Sequence, residues 1–564
     1  MRLSLDQPNQ TSATRRFALL AMVLAPTLHT FRFGYRFGAS DQDEFLPWLL
    51  TRLEPGYFSG DWLVGVQAGS FNVRTGFVRL LTPLADAISP EGAVLVLFVA
   101  AWVLLAWAVY DIALRFSGAP LPAVVATILI LAVIPRWTLG GNAFASSMLV
   151  PSLTAWAVGL TAMALYLRGR PLLAGIAIGV AAGLQFLVAF HVGLAILVGA
   201  LATWPGLKRL LAYALPAIVL SAPTLFQLAD AGVPVAEPAG EAPLFALMAY
   251  FRAPHHYAAA AFPHGDLVRV GALSVVGMAL LLSRRSGLEP SVDRFGRGLV
   301  GLAAVACLVG WIGTEIRPSV PVAVLQPFQH TLLSALVFVA VIMGRLYHRA
   351  TVRLARSAEW TPSWRFVLLL CLAGASLLVL RPVRRDIPGT LPAVATWALS
   401  ETTRDAVFAV PPSTTGFGYQ SRRSVLVTFK AWAFTEADMR AWLRRMQDVA
   451  PNAAAVPARL PPGARLGPAA LLARLDDDWD RRSLEDLSAI ARRYGVTYFV
   501  RRRSLAYAEP RFSLAAEIDG YRIYRWNGAP PPLDLPPLAD SSGTTGTPPS
   551  AAQESLDPTR TDLP

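Results

Sequence analysis

Apolar runs long enough to cross a lipid bilayer recur along most of this chain, and a water-soluble fold has no place for them. A spanning helix needs about 20 apolar residues, fewer where helices are short or broken. Runs of that kind lie near 16–33, 90–112, 119–135, 146–167, 171–187, 188–204, 208–228, 266–283, 297–315, 327–345 and 364–381, about eleven spans in all. The composition agrees: 54% of the 564 residues are hydrophobic and only 15% charged, against about a quarter charged in soluble proteins. The ambiguous stretch is 171–204, "PLLAGIAIGVAAGLQFLVAFHVGLAILVGALATW". It is too long for one ordinary span and too short for two full ones, so two short helices or a re-entrant pair both fit.

Charge placement orients the map. With the N-terminus inside, the inner loops hold Arg15, Arg16, Arg115, Arg168, Arg170, Lys208, Arg209, Arg284, Arg285, Arg294, Arg297, Arg345, Arg349, Arg353 and Arg356. The short outer loops hold only Arg136, Arg252 and Arg317. Cytoplasmic loops collect Lys and Arg, so the net charge of +13 reads as loop asymmetry rather than nucleic-acid binding. The asymmetry requires 171–204 to cross twice. It places the long loop 34–89 and everything after the last span on the outer face. Cys307 and Cys371 both lie in apolar runs and offer neither a disulfide framework nor a thiolate metal site. The run after Arg15 and Arg16 lacks a small-residue cleavage site and reads as the first span.

The first outer loop carries the densest chemistry. Three acids, Asp41, Asp43 and Glu44, fall within "DQDE". Residues 44–54 read as an amphipathic interfacial helix with Phe45, Leu46, Leu49, Leu50 and Leu53 on one face. Residues 72–88 read as a second, with Val73, Phe77, Leu80, Leu81 and Leu84 together. Pro47 belongs in a first helical turn, which starts the helix at Asp43 or Glu44. Asp43 is then either an N-cap or, with its neighbours, a general base or divalent-metal ligand at the membrane surface. Arg32 and Arg36, amid Phe31, Phe33, Tyr35 and Phe37, suit headgroup contact.

Other polar groups fall on the same side. His255, His256 and His264 lie in the outer loop 229–265, and His29, His191 and His330 near outer span ends, as does Glu315. Ionisable groups at membrane depth usually face a cavity or a partner. In "FRAPHHY", Arg252, His255, His256 and Tyr257 could receive a phosphate or sugar hydroxyl. In "LQPFQHTLL", Gln326, Gln329 and His330 make a weaker case of the same kind. No metal-binding spacing such as HExxH occurs.

Residues 1–381 therefore form the membrane domain, and 382–526 a small extracytoplasmic α/β domain. "DAVFAV", "RSVLVTF", "VTYFVRRR" and "YRIYRW" read as its strands, and "TEADMRAWLRRMQDVA" and "SLEDLSAIARRYG" as its helices. The Gly- and hydroxyl-rich "VPPSTTGFGYQSRR" reads mainly as a strand connection, with Tyr419, Arg422 and Arg423 as candidate ligand contacts. The Pro-, Ser- and Thr-rich tail 527–564 reads as disordered.

In this arrangement, with "GDWLVGVQAGSFNVRTGF", "FRAPHHY" and "PPSTTGFGYQSRRSVLVTFK", the chain resembles the GT-C superfamily of membrane glycosyltransferases. More narrowly, it looks like a bacterial subfamily with a C-terminal periplasmic α/β domain. The resemblance implies a mainly α, polytopic fold and a site in which an acid of the first outer loop acts as base or metal ligand. Asp43 and Glu44 match the Asp-Glu start of the mannosyltransferase loop, with Asp41 as a further candidate. It implies a polyprenyl-phosphate-linked sugar as donor, with membrane lipids as surroundings, in the bacterial inner membrane. Arg32, Arg36 or Arg252 would neutralise the donor phosphate, and a divalent metal is an open cofactor. The WWDxG-type motif of oligosaccharyltransferases is missing, which argues against peptide N-glycosylation. The sequence leaves three readings: a transferase acting on an unknown outer-face acceptor, a non-catalytic protein that binds a lipid-linked glycan or partner, and, last, a transporter. A transporter would place its ionisable groups at mid-membrane on broken helices.

Overall fold

The computed structural model describes residues 8–69, 72–133, 138–230, 241–283, 288–354, 389–505 and 510–528. The expected span 364–381, Cys371, Arg136, Arg284, Arg285, Arg356 and the tail beyond residue 528 lie outside the described residues. The protein is a polytopic helical membrane protein with a small C-terminal α/β domain.

Six described helical segments are long and apolar enough to cross a membrane: Pro90–Ser117, Phe186–Thr203, Leu207–Ala229, His264–Leu282, Pro290–Ile316 and Val320–Val352. Shorter apolar helices occupy Pro120–Val133, Pro151–Leu167 and Pro171–Leu184, and the N-terminal helix runs Pro8–Phe33. Their outward faces carry large exposed hydrophobics such as Leu19, Val23, Leu95, Val99, Leu215 and Val275. On a soluble surface that much apolar area would be a liability; in lipid it costs nothing.

The ambiguous stretch resolves as two helices, Pro171–Leu184 and Phe186–Thr203, broken at Gln185, whose backbone is extended. A Cβ placed on Gly193 would meet Ile178 Cγ2 at 3.4 Å, so the chain doubles back at Gln185. Gly175 and Gly179, one turn apart, press the first of these helices onto Tyr213 and Leu220 of the helix Leu207–Asp230. Such small-residue seams drive helix association where lipid offers no hydrophobic force. At the end of Pro90–Ser117 that carries Arg115, Asp111 accepts from Arg168 Nη2 (2.6 Å) and Nε (3.1 Å), tying it to Pro151–Leu167.

The loop between the first two spans holds more than the two helices expected of it. It holds a 3-10 turn Ser40–Glu44, a helix Leu46–Leu53, an extended segment β1 (Pro55–Phe58), an unexpected helix Trp62–Gly69, and a helix Thr75–Ile88. Phe45, Leu46, Leu49, Leu50, Phe77, Val78 and Leu81 are buried in the core shared with the spans. Their apolar faces therefore pack on protein, while Leu80 and Ile88 remain exposed. Pro47 sits in the first turn of its helix, as its missing N–H requires.

In the C-terminal domain a five-stranded sheet has the order β3-β2-β4-β6-β5. Here β2 is Val407–Ala409, β3 Ser424–Val425, β4 Tyr498–Arg501, β5 Phe512–Ile518 and β6 Tyr521–Trp526. β2 pairs in parallel with β3 and β4, whereas β6 pairs antiparallel with β4 and β5. Alternation along the strands sorts the two faces. Val407, Ala409, Phe499 and Tyr524 pack with Glu436–Val449, Ala469–Asp480 and Leu484–Tyr494, while Phe408, Val500 and Ile523 pack on Pro392–Glu401. Leu244, Leu247, Met248 and Phe251, from the segment that precedes His264–Leu282, enter the first of these cores. The domain is thus packed onto the membrane part through a shared core.

One backbone contact sets the height of the first loop. A Cβ on Gly76 would lie 2.0 Å from the Gly183 carbonyl oxygen, at the tip of the helical hairpin. Helix propensity alone favours Gly76→Ala by about 1 kcal/mol. We expect the opposite sign, a destabilisation of about 1–3 kcal/mol, because a backbone carbonyl cannot swing aside; thermal unfolding in detergent reads it.

Candidate functional site

The acid cluster is built on the tight turn Ser40–Glu44. Gln42 fixes the turn: its Oε1 accepts from the Gly38 N–H at 2.6 Å and its Nε2 donates to the Leu149 carbonyl at 3.1 Å. In a 3-10 turn residues i and i+3 eclipse one another, so Asp41 and Glu44 share an edge while Asp43 points elsewhere. The contacts follow that division.

Glu44 is buried and ion-paired to Arg74, with the Arg252 Nη2 at 3.9 Å. Asp41 is ion-paired to Lys430 of the C-terminal domain. Asp43 accepts the Gly416 N–H on both oxygens, at 2.8 and 2.9 Å. The helix that follows has no side-chain cap, and its N-cap position is Phe45. The capping role open to Asp43 in the sequence is therefore corrected: its carboxylate bridges to another domain instead. Gly416 has φ +78°, and a Cβ there would lie 2.3 Å from the Gly38 carbonyl oxygen. Only glycine lets the two segments approach this closely.

Arg252 ends a π-helical turn, Leu247–Arg252, a distortion frequent at functional sites. Its Nη2 donates to the Lys430 carbonyl at 2.9 Å, and its guanidinium lies 5.0 Å from the Phe429 ring and 5.2 Å from Trp432. Arg74 lies 4.5 Å from the Phe434 ring. His256 donates Nδ1–H to the Gly140 carbonyl at 2.7 Å, with its ring 4.1 Å from His255. Tyr257 is joined to Gln326 by a side-chain hydrogen bond, and Gln326 Oε1 accepts from Gln329 Nε2 at 2.5 Å. Asp41, Asp43, Glu44 and Arg252 thus meet at one joint among the first loop, the Leu244–Tyr257 segment and the C-terminal domain, and His255, His256 and Tyr257 continue from Arg252 toward Gln326 and Gln329.

The other candidates serve elsewhere. Arg32 donates to the carbonyls of Ala132 and Val133, and the Arg36 backbone N–H to Ser147 at 2.8 Å. His330 faces His191 at 3.1 Å inside the bundle. Glu315 is exposed and accepts the Ala260 N–H at 2.8 Å. The six histidines expected on one side are dispersed: His29 bonds the Leu131 carbonyl and His264 meets Arg465. Arg423 is spent on Leu399, Thr402 and Ser421, and Tyr419 donates to Glu91 at 2.5 Å. Sequence reasoning missed Arg74 and Lys430, although both stand inside the quoted motifs.

Burial pushes the Asp43 carboxyl up to about 7; Asp41 adds to this, while the Gly416 N–H and Lys430 oppose it. Burial also works against ionising Asp41, but the Lys430 ammonium, Arg74 and His256 hold it below the usual range. Burial lowers His256 to about 4, and Arg74 and Arg252 to about 10. At neutral pH the histidine is uncharged and both arginines are cations. Two neighbouring carboxyls with separated pKa values are a usual sign of divided acid–base roles.

Asp43 also lines a narrow cleft, open to solvent, between the first loop and the C-terminal domain. Asp61, Trp62, Thr414, Gly416, Thr428 and Trp442 share its walls. The cleft does not include Arg252 or Tyr257.

A family model described as a domain of unknown function (DUF6798) matches residues 390–449, which include Gly416 and Lys430. No curated protein matches. Among solved structures the chain is similar to the oligosaccharyltransferase of Archaeoglobus fulgidus, crystallised with a disulfide-tethered acceptor peptide containing the NVT sequon. The identity is 14%, over 87% of this chain and 69% of that chain, with a TM-score of 0.44.

Between pH 4 and 7 the folded protein keeps a proton on Asp43 that the unfolded chain releases, so this group's contribution to stability falls as pH rises through that window. Asp43→Asn is expected to flatten that part of the pH–stability curve. Melting temperatures taken at half-unit pH steps test this, and an unchanged slope would refute the shift.

Proposed function

We propose that this protein is a membrane glycosyltransferase that moves a sugar from a polyprenyl-phosphate donor to an acceptor hydroxyl at the outer face of a bacterial inner membrane, with its C-terminal domain in the periplasm. The observation that carries this reading is the joint itself. Asp41 and Glu44 meet cations from two distant segments, and their neighbour Asp43 lines a cleft beside the joint. The resemblance of the first loop to the GT-C pattern supports the same reaction class.

The chemistry asks for one base and a stabilised leaving group. An acceptor hydroxyl in the cleft gives its proton to Asp43 as its oxygen bonds to the anomeric carbon. The bond from that carbon to the phosphate oxygen breaks, and the configuration inverts. The electron pair leaves on the phosphate, whose charge faces Arg74, Arg252 and Lys430. One bifurcated N–H from Gly416 orients the Asp43 carboxylate and leaves lone pairs for the proton. A base whose pKa lies near the working pH transfers protons most effectively, and about 7 meets that condition.

The test is release of polyprenyl phosphate from radiolabelled polyprenyl-phosphate sugars by the purified protein in nanodiscs. Asp43→Asn is expected to lower the rate at least about 100-fold, and the wild-type rate to rise with pH through about 7. Tight donor binding without turnover of any donor would favour the non-catalytic, glycan-binding reading.

A further inference from the structure

The family resemblance leaves a divalent metal open, and the residues present do not suit one. Among the described residues no group of three or more His, Cys, Asp or Glu is arranged to hold a metal ion. Each acid of the cluster already has a partner: Asp41 the Lys430 ammonium, Glu44 the guanidinium of Arg74 with Arg252 beside it, Asp43 the Gly416 N–H. A dication entering here would have to displace an ammonium and sit beside two guanidinium groups. We propose that Lys430, delivered by the C-terminal domain, acts with Arg74 and Arg252 as a metal-free seat for a phosphate group, supplying the positive charge a divalent cation would otherwise bring. This rests on the donor assigned above and names the residues that hold its phosphate.

The local sequence explains why Lys430 can do this. In "TFKAWAF" its neighbours are anchors. Phe429 is buried against Phe251 and Trp442, with ring centroids 5.8 Å from each, and its N–H donates to the Pro412 carbonyl at 2.8 Å. The Lys430 carbonyl is held by Arg252. The backbone is therefore fixed while the ammonium stays accessible: the side chain is 32% exposed and that of its partner Asp41 50%. An ion pair this open is worth little, so the ammonium can turn to an incoming anion at small cost.

The arginines are the reverse case. Arg74 and Arg252 side chains are only 14% and 13% exposed, and Arg74 Nη1 and Arg252 Nε have no hydrogen-bond partner among the described residues. Buried N–H groups without an acceptor are costly. Phosphate oxygens would supply acceptors, and charge-assisted bonds of this kind are the strong ones. Rings of Phe429, Trp432 and Phe434 hold both guanidinium groups in place.

The test measures binding of a polyprenyl monophosphate, and separately of inorganic phosphate, to the full chain in nanodiscs by tryptophan fluorescence, with EDTA or with added Mg²⁺ or Mn²⁺. The expected result is equal affinity with and without metal, at least a tenfold loss in Lys430→Met, and retention within about threefold in Lys430→Arg. Asp41→Asn frees the ammonium and is expected to tighten binding, a change of sign that misfolding would not mimic. Binding abolished by EDTA and restored by Mg²⁺, or unaffected in Lys430→Met, overturns the proposal. Inorganic phosphate bound in a Lys430-dependent way, with no binding of the lipid, keeps the phosphate seat and removes the polyprenyl donor. Binding of neither ligand overturns both.

Discussion

Two aspartates of the loop after the first span hold this architecture together by grasping backbone N–H groups of the C-terminal domain. Asp43 takes the Gly416 N–H, and Asp61 takes the Val425 N–H at 3.0 Å while also accepting the Val64 N–H of its own helix. Around them the Gly60 N–H donates to Ser424 Oγ at 3.2 Å and Gln420 Nε2 to the Gly38 carbonyl at 3.3 Å. A carboxylate bonded to a backbone N–H fixes position without depending on a flexible partner side chain. Everything else at the joint, including the meeting of Lys430 with Asp41, requires the domain to be held at that height.

The same docking gives the acids different environments from nearly identical sequence positions. Asp41 lies half-exposed against the Lys430 ammonium, Glu44 faces a buried pair of guanidinium groups, and Asp43 faces a cleft where the Gly416 N–H is its hydrogen-bond donor and Lys430 acts from a distance. Burial without a full counter-charge raises a carboxyl pKa, and a neighbouring cation lowers it. The separation of environments therefore comes from the turn geometry, which sends residues 41 and 44 to one edge and residue 43 to another.

Some of this is legible in local sequence because it depends on local physics. Pro47 can occupy only a first helical turn, and it does. The apolar runs can be satisfied only by lipid or by each other, and ten of the expected spans fall on described helices. The break at Gln185 is hinted by length alone, since thirty-odd apolar residues exceed one bilayer crossing. The capping alternative for Asp43 was equally sound locally, and it failed because an amide 373 positions away in sequence competes for the same oxygens. Arg74 and Lys430 carried no local signal, for a single cation beside aromatic residues is ordinary on any surface.

What the sequence by itself determined is the set of parts: apolar helices for a bilayer, an acid-rich turn after the first of them, and a small α/β unit at the end. Hydrophobic period, proline geometry and charge asymmetry are properties of short segments, so short segments report them. Only the tertiary structure decided which parts meet. The packing of Leu247, Phe251 and Phe429 into one core brings Arg252 against Lys430, and the closeness of Gly416 to Gly38 gives Asp43 its amide. Those contacts join residues hundreds of positions apart, where only packed volume and the need to answer buried charge choose the partner.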